Sequence, residues 1–470
     1  MASTVLTLEQ LPEDVLLMVM GFVSVEDVLA CRLVCKALCG LALHPDVWRH
    51  RSLKDDEPHA LAVLHLAPCL DELAVSGLVP TLAVTTTRCA AASLYLLSEP
   101  GVAFSIAEYA LAVRNQESLG RLRRLELRCS IDKNTTPNDV LMRTVASCSG
   151  LEWIEIGGDI PDSICHPVVH GPPRPSLKYF HCPVTSANAA TFVNTILAGH
   201  AATLETVNIE SSSHLDLTAT ADLLAAMPRL RSLRCDAWSV GLEAVAACKT
   251  LIDVSISMSK DLDELGRVAR FVRRAKQLRW FYVEYFDFEG GLPAEYCTML
   301  VDALAPGRSQ LEQLSLDGFK DVRPLLRALP MLPALRHLDL CADPDDELLR
   351  SITPVTAPAL RLLEIGIPLG QCPHAWMHGD AVKATLAENP SLHIQLWCRP
   401  LSFKCDPQDC RTCVIGCHRE VKWGEVGKIG LYSHDPDMCP SPRDHTADDT
   451  SDWQRAFDRS TDVECLWIHM

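Results

Sequence analysis

A six-residue pattern, Leu-x-x-Leu-x-Leu with some apolar substitution, recurs ten times between Leu122 and Ile365 and limits the possible folds more than any other feature of the chain. The copies begin at Leu122, Leu151, Leu177, Leu204, Leu230, Leu251, Leu278, Leu311, Leu335 and Leu360. Weaker copies precede them at Leu70 and Ala91, and a last strand is expected over Leu392–Leu396. Apolar residues at alternate positions mark a strand with one face buried. Successive strong copies start 21 to 33 residues apart, which leaves room for one helix between strands. Helical spacing of apolar residues is present at 103–117, 187–197, 262–274 and 294–305. A strand and a helix of this size cannot bury their own apolar faces, so neighbouring units must stack into one core. At 470 residues the chain is also too long for a single compact core.

Units of this length and composition resemble leucine-rich repeats of the ribonuclease-inhibitor type. The resemblance implies an α/β fold, a right-handed α/β leucine-rich-repeat solenoid bent into a horseshoe, with strands on the concave side and helices on the convex side. Residues 57–398 are expected to form it, as about 12 repeats. The Asn or Cys usually placed after the strand is mostly absent, and the uneven steps imply irregular curvature. Segments rich in Gly and Pro or in aromatics, at 157–175, 286–291 and 366–379, are expected to loop out of the array.

The amino-terminal residues carry a different pattern. Leu11-Pro12 opens a helical stripe of Val15, Leu16, Val19, Phe22 and Val23. Ser24 with Asp27 three residues on suits a capping box for a second helix bearing Val28, Cys31, Cys35 and Leu38. A third short helix is expected from Leu41 to Trp48 with a break at His44-Pro45. The order Leu11-Pro12, Asp27-Val28, Val34-Cys35-Lys36 and His44-Pro45-Asp46-Val47-Trp48 resembles an F-box, here a small all-α three-helix domain over residues 8–52. Leu38 stands where that family commonly has an aromatic. The resemblance implies docking to the Skp-type adaptor of a cullin–RING ubiquitin ligase, through Leu11, Pro12, Leu16, Val19, Phe22, Val28 and Trp48. A polar, proline-punctuated joint at Lys54–Pro58 is expected to separate this domain from the repeats.

Charge and composition narrow the partners. A formal net charge of −17 argues against nucleic acid or an anionic membrane as the main partner. No run reaches the roughly 18 apolar residues of a membrane helix, and no signal peptide is apparent, so a cytoplasmic or nuclear location is expected. The 21 cysteines are scattered through apolar stretches, which suits buried free thiols rather than a disulfide framework. Residues 399–470 form a Cys-rich cap followed by an acidic tail, expected to be partly disordered over 441–460. Cys405, Cys410, Cys413, Cys417 and His418 lie close together, but only Cys410-x-x-Cys413 has the spacing of a zinc-ligand pair. An intrinsic RING domain is therefore rejected, and neither a metal nor a cofactor is assigned. Phosphate-loop, zinc-protease and nucleophile-elbow motifs are likewise lacking, so no catalytic residue is assigned.

Strand alternation turns the residues flanking the fourth position of each copy toward the concave surface. Large aromatics and arginine in such positions are the residues binding hot spots use. Trp153, Tyr179, Arg234, Trp280 and Tyr282 are the expected contacts to a protein substrate. The reading is a non-catalytic substrate-recognition subunit, the alternative being a repeat scaffold that delivers no client for ubiquitin transfer.

Overall fold

The computed structural model describes residues 11–97, 106–128, 139–157, 174–211, 215–237, 241–259, 261–285, 292, 294–305, 310–319, 321–340, 346–366, 373–397, 413–415, 428–434 and 465–470. The chain divides into two compact units, residues 1–231 and 232–470.

The first unit begins with four short helices, α1 (Glu13–Phe22), α2 (Val25–Cys31), α3 (Lys36–Ala42) and α4 (Pro45–Trp48). Ser24 caps α2 as expected, its hydroxyl oxygen accepting from the Asp27 N–H at 3.1 Å. There are four helices rather than three because α2 stops at Cys31. The chain then turns, and Cys35, in extended backbone, caps a separate helix. Cys35 and Leu38 therefore do not continue the α2 stripe, and Leu41 lies in the last turn of α3 instead of opening a third helix. His44 and Pro45 then start α4, with proline in the first helical turn where its missing N–H is harmless.

Leu16, Met20, Val28, Leu41, Ala42, Val47 and Trp48 make the core of these helices. The indole N–H of the fully buried Trp48 donates to the Ala42 carbonyl at 2.7 Å. Arg51 closes the open end of α1, donating to the carbonyls of Met20 and Val23 at 2.7 Å each and to that of Val47 at 2.7 Å. Its guanidinium also lies 5.6 Å from the Trp48 ring centroid. One cation thus satisfies carbonyls that a helix end leaves without partners.

The chain runs straight on from these helices. Ser52–Lys54 is already strand β1, paired in parallel with β2 (Cys69–Val75). Asp55 is buried and accepts from the Ser76 hydroxyl at 2.7 Å and from the N–H groups of Gly77 and Leu78 at 2.8 and 2.9 Å. Burial works against its charge, but these bonds hold its carboxyl below the usual range. The polar joint expected here is a satisfied structural corner.

Parallel pairing continues through β3 (Ala90–Leu97), β4 (Arg124–Arg128), β5 (Trp153–Gly157), β6 (Tyr179–Val184) and β7 (Thr206–Ser211). In the second unit it runs through β8 (Ser232–Asp236), β9 (Asp253–Met258), β10 (Trp280–Tyr285), β11 (Gln313–Leu316), β12 (His337–Leu340), β13 (Leu362–Gly366) and β14 (His393–Trp397). All ten strong repeat copies coincide with strands β4 to β13, and their apolar positions are buried, as at Leu122, Leu125 and Leu127. Helices lie between strands as expected, among them Ile106–Ser118, Ala187–His200, Leu262–Arg274 and Ala294–Leu304.

Among the described residues of the tail lie two further strands. β15 (Lys428–Tyr432) pairs antiparallel with β14, and β16 (Cys465–His469) pairs in parallel with β15. Gly430 sits where a Cβ would overlap the Trp467 ring. That glycine lets the last strand close on its neighbour. The acidic segment 441–460 and most of 157–175 and 286–291 lie outside the described residues, whereas 366–379 contains a short helix, Pro373–Met377.

Candidate docking surfaces

Helix α1 presents two opposed apolar faces. Leu16 and Met20 point into the core at 8% and 4% exposure. Val15, Met18, Val19 and Phe22 recur at helical spacing on the other side and are exposed at 37%, 67%, 46% and 87%. Leu33 and Val34, in the turn after α2, are exposed at 77% and 70%. A contiguous apolar stripe left in water marks an interaction surface rather than chance. Of the residues expected to meet an adaptor, Val19, Phe22, Leu11 and Pro12 are accessible, whereas Leu16, Val28 and Trp48 belong to the domain's own core. Met18 escaped notice because periodicity alone does not reveal which of two apolar stripes faces inward.

The second surface is the face of the sheet that strand alternation turns away from the leucines. In the first unit, register lines up Glu72, Ser93, Arg124, Trp153, Tyr179 and Thr206 in one row. The adjacent row is Ala74, Tyr95, Glu126, Glu155, His181 and Asn208. Trp153 and Tyr179 stack with ring centroids 3.4 Å apart, and the Arg124 guanidinium lies 4.3 Å from the Trp153 centroid. Arg124 stands 3.8 Å from the Glu126 carboxylate and 3.9 Å from that of Glu155. Arg128 meets the same two acids at 2.7 and 3.8 Å. Two cations and two anions therefore neutralise one another beside an aromatic stack. Arg124, Glu126 and Arg128 were not among the expected contacts, although their phase in the copy at Leu122 matches that of Trp153.

In the second unit the corresponding rows are Ser232, Asp253, Trp280, Gln313, His337, Leu362 and His393, then Arg234, Ser255, Tyr282, Ser315, Asp339, Glu364 and Gln395. Arg234 donates to Glu284 at 2.8 Å, and the Arg279 guanidinium lies 5.4 Å from the Trp280 centroid. Trp153, Arg234 and Trp280 are half-buried, while Tyr179 and Tyr282 are buried at 4% and 3% exposure. The five expected contacts thus fall in two separate groups on one type of face, with Trp153 and Tyr179 in direct contact as a pair.

The twelve described cysteines are free thiols, and burial pushes those of Cys89 and Cys297 up to about 12, which makes them poor nucleophiles and ligands. Of the tail cluster only Cys413 is among the described residues, and no group of metal-holding side chains occurs among them. No described helix is long and apolar enough to cross a membrane.

Residues 8–54 match the F-box-like family and form an F-box-like domain. No curated protein matches the chain. A chain in the crystal structure of the Rad7 and Elc1 complex in yeast is similar at 15% sequence identity and a TM-score of 0.38, over 81% of this chain and 90% of that one.

Proposed function

We propose that this protein is a substrate receptor of an Skp–cullin–F-box type ubiquitin ligase. The observation that carries the reading is the solvent-exposed stripe of Val15, Met18, Val19 and Phe22 on an F-box-like domain. An Skp-type adaptor would cover that stripe together with Leu11 and Pro12, and would link the chain to a cullin–RING assembly in the cytoplasm or nucleus. Burying the stripe supplies affinity through the hydrophobic effect, about 25 cal/mol for each Å² of apolar surface removed from water.

In this reading residues 8–52 are the docking domain, 57–398 a right-handed leucine-rich-repeat solenoid of ribonuclease-inhibitor type, and 399–470 its cap and tail. Trp153, Arg234 and Trp280 contact a protein client, with Tyr179 and Tyr282 beside them on the same face of the sheet. The chain itself is an adaptor rather than a catalyst. It raises the effective concentration of a client beside the ubiquitin-loaded enzyme. Direct continuation of the docking domain into β1, with Asp55 bonded across the corner, supports a fixed placement of the adaptor against the strands of the first unit.

The test is co-purification of the full chain with an Skp-type adaptor, comparing wild type with Phe22→Asp. Capture by wild type and loss in the variant, with unchanged thermal unfolding, supports the reading. Failure of wild type to bind the adaptor overturns it. Adaptor binding without ubiquitin transfer to any captured protein would make the chain a scaffold.

A further inference from the structure

The rows of the second unit contain buried polar groups that the described protein does not satisfy. Gln313 is 2% exposed, yet neither its amide nitrogen nor its amide oxygen has a hydrogen-bond partner. Gln395, 1% exposed, has an unpartnered amide nitrogen. Between them, on β12 and β13, stand Asp339 and Glu364, directly opposite each other in register. Gln395 is the in-register neighbour of Glu364, and Gln313 that of His337. Asp339 accepts from the Ser315 hydroxyl at 2.8 Å through one oxygen, while its other oxygen is buried without a partner. His337 approaches Glu364 at 2.9 Å.

Buried amides and carboxylate oxygens are costly when unpaired, about 1–3 kcal/mol for each group, so each calls for a polar partner such as water, an ion or a ligand. Gln313 offers one donor and one acceptor side by side, the complement of a peptide group. Gln395 offers a donor suited to a carbonyl. Asp339 and Glu364 offer adjacent acids suited to a cation. From β11 to β14 is three strand spacings, about 14 Å, the length of about four extended residues.

We propose that this face of the second unit binds an extended peptide segment bearing an arginine or lysine, its cation seated at Asp339 and Glu364 and its main chain bonded by Gln313 and Gln395. The inference rests on the reading of the strand face as the client surface and specifies the client's chemistry. The charge state fits. Burial, Glu364 and Asp317 raise the Asp339 carboxyl, against the lowering effects of His337 and Ser315, to about 7. The Asp339 carboxyl therefore holds a proton up to near neutrality, and an arriving cation displaces it to solvent. Arginine suits the site because its planar fork can donate to two carboxylates at once.

The probe is a fluorescein-labelled Gly-Ala-Arg-Ala-Gly peptide, titrated with the full chain, beside the same peptide carrying neutral citrulline. Wild type should bind the arginine peptide saturably and the citrulline peptide at least tenfold more weakly. Asp339→Asn, which keeps an acceptor for Ser315, should weaken arginine-peptide binding at least tenfold, and Gln395→Ala severalfold. Glu347→Gln, an exposed helical acid elsewhere in this unit, should change nothing. Absence of saturable binding, equal binding of the citrulline peptide, or equal loss in Glu347→Gln overturns the proposal. If Asp339→Asn fails to fold, Glu364→Gln replaces it with the same expectation. Adaptor capture measured on the same preparations separates the two readings. Peptide binding lost with the adaptor still bound sinks the cation site alone, and the reverse result sinks only the ligase reading.

Discussion

The indole of Trp153 lies flat on the phenol ring of Tyr179, with centroids 3.4 Å apart and planes 7° from parallel. Parallel register places the two residues directly opposite on β5 and β6, so the stack joins neighbouring repeats. Part of the aromatic surface expected to face a client is therefore used within the sheet. A double-mutant cycle of Trp153→Ala and Tyr179→Ala, read by chemical denaturation, should give a coupling of about 1 kcal/mol. Because Tyr179 is buried, its single substitution should destabilise by about 3 kcal/mol. Strictly additive effects would mean that the rings do not support each other.

The two faces of α1 should respond oppositely. Leu16→Ala removes core and should cost about 3 kcal/mol of stability. Phe22→Ala should lie within about 0.5 kcal/mol of wild type, since its ring is 87% exposed, yet should weaken adaptor capture. Thermal unfolding paired with a pull-down on the same variants checks both halves. For this reason Phe22, not Leu16, is the residue at which binding can be tested apart from folding.

Asp339 predicts a pH dependence of unusual sign. Its carboxyl is raised to about 7 from 3.8, so between those values the folded chain holds a proton that the unfolded chain has released. Stability from this group is full below about pH 4 and declines as pH rises toward 7. Asp339→Asn should therefore gain on wild type as pH is raised from 5 to 8. Urea midpoints for the two proteins across that range would expose the difference, and parallel curves would refute it.

His200 has the opposite sign. It ends the helix Ala187–His200, and its Nδ1 accepts from the N–H groups of Ser176 and Leu177 at 3.2 and 3.3 Å, so its proton resides on Nε2. Burial lowers its pKa to about 4 from 6.5. The unfolded chain binds the proton first, so stability is intact above pH 6.5 and falls as pH drops toward 4. His200→Asn should be less stable than wild type at pH 7.5, with the gap narrowing by pH 5. Urea midpoints at the two pH values provide the check.

At the end of the second unit, Gly430→Val should detach β16, because any side chain there enters the Trp467 ring. Amide exchange over 465–470 should rise at least tenfold while β9–β12 stay protected. Unchanged protection would mean that Trp467 has room to move aside.

The periodicity of leucines determined the strands from β4 to β13, because residues at positions 1, 4 and 6 of each copy must be buried whatever the neighbours are. The helices at 262–274 and 294–304 were legible for the same reason, as was the F-box-like segment, whose motif order survives without any knowledge of packing. Tertiary structure alone decided the rest. Which stripe of α1 faces inward depends on where α3 and α4 pack, and both stripes are apolar in sequence. Lys54–Pro58 reads as a joint until Ser76, Gly77 and Leu78 arrive to bond Asp55. β15 and β16 carry no repeat, and their pairing depends on the room that Gly430 leaves for a ring 37 residues away. The charge lattice around Arg124 and the acids at Asp339 and Glu364 come from different repeats, so only the register of the folded sheet brings them side by side.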